Sequence, residues 1–184
     1  MKHRLLCTLG TIVLGMVAFG ASPAGAASAA GLYYATPSWD LKLDASTRFI
    51  VLTNWGSAAV LDRETGLVWE QSPSTSAFTW ENGEAAFHCN NLSVGDRKGW
   101  KLPTIQELAS LVDGDPHNTS SPRLPPGHPF SNVQSSDYWS ATTNALNTGN
   151  AWVVYFNVGF VLNFSKSNYF FVWCVRGGQG VNPQ

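Results

Sequence analysis

The chain has 184 residues, with 11 Lys and Arg against 12 Asp and Glu and a formal net charge of −1. That balance excludes nucleic acid or any other polyanion held through bulk charge, which requires a basic footprint. The length is one domain's worth, enough to bury a core.

At the N-terminus Lys2 and Arg4 precede an uncharged run over residues 5–19, and Ala24, Gly25 and Ala26 place small residues where a signal peptidase reads. The run is about 15 residues, short of the ~20 that a membrane-spanning helix needs. Residues 1–26 are therefore read as a signal peptide, with the periplasm or the extracellular space as destination and no membrane span after cleavage. Cleavage leaves 158 residues and takes the formal charge from −1 to −3. It also removes Cys7 and leaves Cys89 and Cys174, an even pair that an oxidising compartment favours as a disulfide. Closing the loop of about 85 residues between them would remove denatured-state entropy worth roughly 4–5 kcal/mol.

Residues 27–47 are rich in Ala, Ser and Pro without a usable period and read as a linker; the folded domain is expected over 48–178, with 179–184 as a tail. Residues 49–53 suit a strand. Residues 58–62 and 67–70 flank Arg63, Glu64, Thr65 and Gly66 as a hairpin, with Trp69 pointing into the core. Thr79 or Asn82 is expected to cap a helix running to about Leu92, on which Ala85, Cys89 and Leu92 share one face and aim the thiol inward. Pro103 biases Leu102 towards an extended shape, and Thr104 followed three residues later by Glu107 reads as a capping box, so a second helix begins at Ile105. Ile105, Leu108, Ala109, Leu111 and Val112 form its buried stripe, and Asp113 with Gly114 supplies the left-handed stop. Residues 113–137 are irregular, with prolines at 116, 122, 125, 126 and 129; a connection of that length inside a domain is usually functional or mobile. Residues 138–142, 151–156, 160–165 and 170–176 read as strands, with Asn157, Val158 and Gly159 as a hairpin turn. The fold class is α+β.

Five motifs, in one order, carry a family resemblance: the run from Asp62 to Trp69 (DRETGLVW); Trp80 with Cys89; the run from Gly99 to Leu108 (GWKLPTIQEL); Tyr138-Trp139-Ser140-Ala141-Thr142; and Trp173-Cys174-Val175-Arg176-Gly177. Over roughly residues 49–178 the chain resembles the Lcl C-terminal domain family, first catalogued as a domain of unknown function. The resemblance implies a C-type-lectin-like fold, with two short helices packed on small antiparallel sheets and long loops. It also implies a helix-to-last-strand disulfide between Cys89 and Cys174, and a ligand site in the long loop after the second helix.

Catalytic motifs are thin: no phosphate-cradling glycine run, no His-Glu-x-x-His, no Cys-x-x-Cys and no Gly-x-Ser-x-Gly occurs. A formylglycine-generating-type enzyme, which shares the lectin-like fold, needs free thiols, whereas both cysteines here are better used as a staple. His88, His117 and His128 are scattered, and no metal site or cofactor is expected. Calcium is the one ion considered, through the oxygens of Asp113, Asp115, Asn118 and Asp137. Even so, the tripeptides of calcium-dependent sugar sites are absent, and Trp139-Ser140-Ala141 stands where those lectins carry Trp-Asn-Asp.

The expected ligand face comprises Asp113, Asp115 and His117 in the proline-rich loop, Tyr138 and Trp139, and the amide-rich turn of Asn144, Asn147 and Asn150 beside Trp152. Aromatic faces with neighbouring amides suit carbohydrate and protein surfaces alike. The expected function is an exported, non-catalytic binding module for a surface glycan or a partner protein. A structural subunit of a cell-envelope assembly is the alternative, with an enzyme behind it.

Overall fold

The computed structural model describes residues 42–177, so the signal peptide expected over 1–26, most of the expected linker and the tail lie outside the described residues. The first charge this stretch buries is Arg48, and its partners organise the N-terminal edge. One helical turn, α1 (Ala45–Arg48), runs directly into β1 (Phe49–Val51). Arg48, 5% exposed, donates from Nε to Asp62 Oδ1 at 2.9 Å and from Nη2 to Asp62 Oδ2 at 2.8 Å. Nη2 also reaches the Ser110 carbonyl at 2.7 Å, and Nη1 lies 3.0 Å from Glu64 Oε2. A buried charge is tolerated only when paired and hydrogen-bonded, and the flat guanidinium fork meets that need on a carboxylate. Residues 42–47, expected in the linker, thus pack on the domain: Lys42 pairs with Asp113 at 3.0 Å, the Leu43 N–H donates to Glu64 Oε1 at 2.7 Å, and Ala45 is buried. A single helical turn is too short to show a period, which is why the sequence there reads as linker.

The first sheet has the order β1–β2–β3–β9, with β2 (Ala59–Asp62), β3 (Leu67–Glu70) and β9 (Val175–Arg176) all antiparallel to their neighbours. The strand expected over 49–53 ends at Val51, because Thr53–Trp55 winds into a 3₁₀ turn closed by Gly56 at φ 64°. The β2–β3 hairpin forms as expected and Trp69 is fully buried. Asp62 builds its turn: one oxygen accepts the Glu64 N–H at 3.0 Å, its carbonyl accepts the Gly66 N–H at 2.8 Å, and Gly66 sits at φ 71°.

The first expected helix is α2 (Glu84–Asn91), and its start corrects the expectation. Neither Thr79 nor Asn82 caps it: the N-cap is Gly83 at φ 74°, preceded by a 3₁₀ turn over Glu81–Gly83 in which Asn82 is itself left-handed. Thr79, in β4 (Phe78–Thr79), donates instead from Oγ1 at 2.7 Å and from its N–H at 3.2 Å to Glu84 Oε2. The acidic residue of the first turn thereby ties helix to strand. Ala85 and Cys89 face inward as the spacing requires, and Cys89 is bonded to Cys174 with a Cα–Cα distance of 5.3 Å.

The second, α3 (Ile105–Ala109), has the full capping box: the Glu107 N–H donates to Thr104 Oγ1 at 3.2 Å and the Thr104 N–H to Glu107 Oε2 at 2.8 Å. It is shorter than the expected 105–112, since Leu111 and Val112 turn back on Leu108 and Ala109 in tightened i→i+3 bonds. Gly114 is not left-handed as expected; the helix stops because the Asp113 N–H is taken by the Arg123 carbonyl at 3.1 Å.

The third expected group of strands forms the sheet β5–β6–β7, from β5 (Asp137–Thr143), β6 (Asn150–Tyr155) and β7 (Phe160–Ser165). The closing strand expected over 170–176 divides: β8 (Tyr169–Phe170) pairs with β4, and only β9 pairs with β3. Between them the chain crosses sheets. Phe171 exchanges main-chain bonds with Asp137 and Trp139, the Trp173 indole donates to the Glu70 carbonyl at 2.9 Å, and the Cys174 N–H donates to Glu70 Oε2 at 2.8 Å. Two cores result. One gathers Trp69, Trp173, Tyr138, Phe156, Leu108 and Leu111; the other gathers Trp100, Trp139, Val153, Ala85 and the disulfide. Short helices on small antiparallel sheets make the domain α+β, as expected.

Candidate functional site

The expected ligand face divides. Tyr138 and Trp139 are fully buried and belong to the cores, not to a ligand surface. Tyr138 Oη accepts the Gln134 N–H at 2.7 Å, its ring stands edge-on to Phe156, and burial pushes its phenol up to about 12. The Trp139 indole donates to the Phe78 carbonyl at 2.9 Å. The reason is topological: β5 lies between β6 and the Phe171 crossing, which encloses it.

Asp113 is also buried and structural. Its Oδ1 accepts from Lys42 Nζ at 3.0 Å and from the Asp115 N–H at 3.1 Å, and its Oδ2 from Asn118 Nδ2 at 2.7 Å. Burial alone would raise this carboxyl, but the bonds from Lys42, Asn118 and the Asp115 N–H outweigh it and hold it below its ordinary value. Asp115 accepts the His117 N–H at 2.9 Å, and His117 is exposed. The rest of the loop is pinned, with Leu124 and Phe130 buried and Gln71 bonded to Pro129 and Ser131. Of the oxygens considered for calcium, those of Asp113 do not fit it. The Asp113 oxygens already face an ammonium and two N–H groups, and no three His, Cys, Asp or Glu side chains among the described residues converge on a common point.

The amide turn and Trp152 remain at the surface. Asn144 Oδ1 accepts the Leu146 N–H at 2.9 Å and Asn147 Oδ1 the Gly149 N–H at 3.2 Å, so both amide oxygens hold the turn. Asn150 Nδ2 donates to Asn163 Oδ1 at 2.9 Å, and Asn163 lies directly opposite Trp152 across the β6–β7 ladder. Alternation along the strand therefore sets Asn150, Trp152 and Asn163 on one sheet face. Trp152 is half-buried yet packs in neither core, unlike Trp69 and Trp173 in the first, Trp100 and Trp139 in the second, and Trp55 and Trp80 packed against the second. Asn163 was missed from sequence, because its place beside Trp152 depends on strand register.

A second surface feature was also missed. On the outer side of α2 a groove of about 550 Å³ is lined by Phe78, Glu84, Phe87, His88, Asn91 and Leu92, with Phe87 70% exposed. The His88 ring lies against Phe78, centroids 4.5 Å apart and planes tilted by 35°, and burial lowers its basicity. The signal was present: Phe87 lies midway between the inward Ala85 and Cys89 and so must point out.

The family model of the Lcl C-terminal domain matches residues 58–176. The chain belongs to that family. No curated protein matches it. The matched stretch of this Lcl C-terminal domain runs from the start of the β2–β3 hairpin to β9, and so contains both halves of the disulfide and the whole Trp152 face.

Within the Lcl C-terminal domain Glu70 is a buried carboxyl that accepts the Cys174 N–H. Burial pushes it up to about 7, against 4.5 for the free group, with the Cys174 hydrogen bond opposing. A raised acid favours the fold while protonated, so this contribution is complete below pH 4.5 and is lost as pH rises through 7. Glu70→Gln keeps an acceptor for the Cys174 N–H and removes the charge. The substitution is expected to gain stability relative to the natural domain by about 2–3 kcal/mol between pH 5 and pH 8, read as the difference in urea midpoints. A difference that stays constant with pH would refute the assignment.

Proposed function

We propose that this Lcl C-terminal domain is an exported, C-type-lectin-like, non-catalytic module that binds a surface glycan on the sheet face around Trp152. The observation that carries the reading is the placement of Trp152: a half-buried indole outside both cores, beside the bonded amides of Asn150 and Asn163. An aromatic plane stacks on the apolar face of a sugar ring while adjacent amides bond its hydroxyls. The lectin-like assignment is supported by two short helices, a disulfide from α2 to the segment entering β9, and a long proline-rich connection. Export is supported by the disulfide, which needs an oxidising compartment, and by the charge and apolar pattern of residues 1–26. A second reading, contact with a partner protein in an envelope assembly, is favoured by the groove beside the exposed Phe87.

A glycan array probed with the exported, oxidised protein in calcium and again in chelator tests the first reading. Saturable binding is expected in both conditions. Trp152→Ala is expected to weaken it at least about 30-fold, the scale of a buried aromatic anchor, while the melting temperature moves by only a few degrees. Binding indifferent to Trp152→Ala would move the site elsewhere. Silence on the array, with a protein partner captured and then lost on Phe87→Ala, would establish the second reading.

A further inference from the structure

The outer edge of β7 is open. Among the described residues no strand pairs with it, whereas the opposite edge strand of its sheet, β5, is bridged by Phe171. Six residues make it the longest open edge described, against three in β1. Natural edges of this length are blunted with a charge, a proline, a bulge or a cover. Phe160–Ser165 has no charged residue and no proline, pairs with β6 without a bulge, and leaves Phe160 62% and Val161 43% exposed.

The ladder shows which main-chain groups are free. The Lys166 N–H donates to the Gly149 carbonyl directly opposite it at 3.0 Å, one step beyond the Asn150–Ser165 pair. Bonded pairs alternate in an antiparallel ladder, so Phe164, Leu162 and Phe160 turn their N–H and C=O groups towards β6. Those of Val161 and Asn163 turn outward with no partner among the described residues, whereas the Ser165 carbonyl is taken by the Asn168 N–H at 3.0 Å.

We propose that the protein forms a symmetric dimer by antiparallel pairing of β7 with β7 of a second copy, with Leu162 opposite itself. A twofold axis normal to the sheet keeps like faces together, and in this register Val161 and Asn163 of opposite copies exchange main-chain hydrogen bonds. Phe160 of one copy then faces Phe164 of the other on either side of the Leu162 pair, giving an apolar strip of aromatic and aliphatic cross-strand pairs. Each Lys166 falls opposite Val158 at a far corner, its ammonium held by its own copy against Thr143 Oγ1 at 3.0 Å and over the Trp80 ring. Centring on Asn163 would set Phe160 against Lys166 and forfeit the strip. The dimer would carry both Trp152 side chains on the same face of one continuous sheet, three strand spacings or about 14 Å apart across the strands. That arrangement doubles a shallow site into a bivalent one.

Sedimentation of the exported protein over a concentration series is expected to give twice the protomer mass. Val161→Pro removes an outward N–H and leaves the β6 ladder intact; it is expected to yield a monomer with unchanged near-ultraviolet circular dichroism. Leu162→Cys is expected to cross-link into a covalent dimer on mild oxidation, since Cα atoms at a non-bonded pair lie about 4.5 Å apart, within a disulfide's span. Ser165→Cys, far from its own copy in this register, is expected not to. A monomeric natural protein at hundreds of micromolar, a dimer that survives Val161→Pro, or cross-linking through Ser165→Cys but not Leu162→Cys would overturn the proposal. None of these readouts involves a glycan, so their failure is separable from failure of the Trp152 site.

Discussion

Replacing Cys89 and Cys174 together with alanine is expected to lower stability by about 4–5 kcal/mol, the loop-closure entropy of the 85 residues they span. In urea the midpoint would fall by roughly 2 M, and on heating by roughly 10–15 °C. Few other contacts could offset the loss locally. α2 has no side-chain cap at its N-terminus and buries only Ala85 and Cys89, so the bond to Cys174 is its main attachment to the second core. Amide exchange should therefore speed up first along α2 and at the Cys174 N–H, which depends on Glu70. A change below about 1 kcal/mol would mean that the denatured chain already holds the two segments together, since the entropic gain exists only if it does not.

Asp62→Ala is expected to cost about 3–5 kcal/mol, because Arg48 would then be left in the core with, among the described residues, Glu64, the Ser110 carbonyl and the Phe49 ring. Asp62 also holds the hairpin turn through the Glu64 N–H, which adds to the loss. Restoring neutrality rather than the ion pair should recover most of the cost: Arg48→Met combined with Asp62→Leu is expected to be more stable than Asp62→Ala alone, since burying two charges is offset only by their mutual pairing. Denaturant melts of the two variants against the natural protein check both statements. A loss under 1 kcal/mol for Asp62→Ala would show that water reaches Arg48.

Much of the fold was legible because its signals are local. The Thr104–Glu107 capping box needs only residues three apart, the β2–β3 hairpin announces itself through the Arg63–Gly66 turn with glycine at its end, and the α2 face through the spacing of Ala85 and Cys89. The elements misjudged were those whose boundaries belong to other segments. Residues 170–176 look like one strand by composition, yet β4 claims its first part and β3 its last, with Glu70 holding the crossing between them. Thr79 has the chemistry of an N-cap and serves instead as a donor to Glu84.

For the site the division is sharper. By itself the sequence determined which chemistry is present: aromatic residues, amides, a cysteine pair, and acids two residues apart near a proline-rich stretch. It could not determine which side of a strand each residue faces or what lies beyond. Tyr138, Trp139 and Asp113 were indistinguishable in type from surface ligands, and only tertiary structure buried them, because β5 is enclosed by β6 and the Phe171 crossing and because Lys42 arrives from the chain's other end to occupy Asp113. Trp152 was left outside both cores by that same packing, and Asn163 was brought to it by strand register. Local propensity acts over a few residues and can be read along the chain, whereas burial is decided by whatever else the compact chain puts against a surface, and those partners lie tens of residues away.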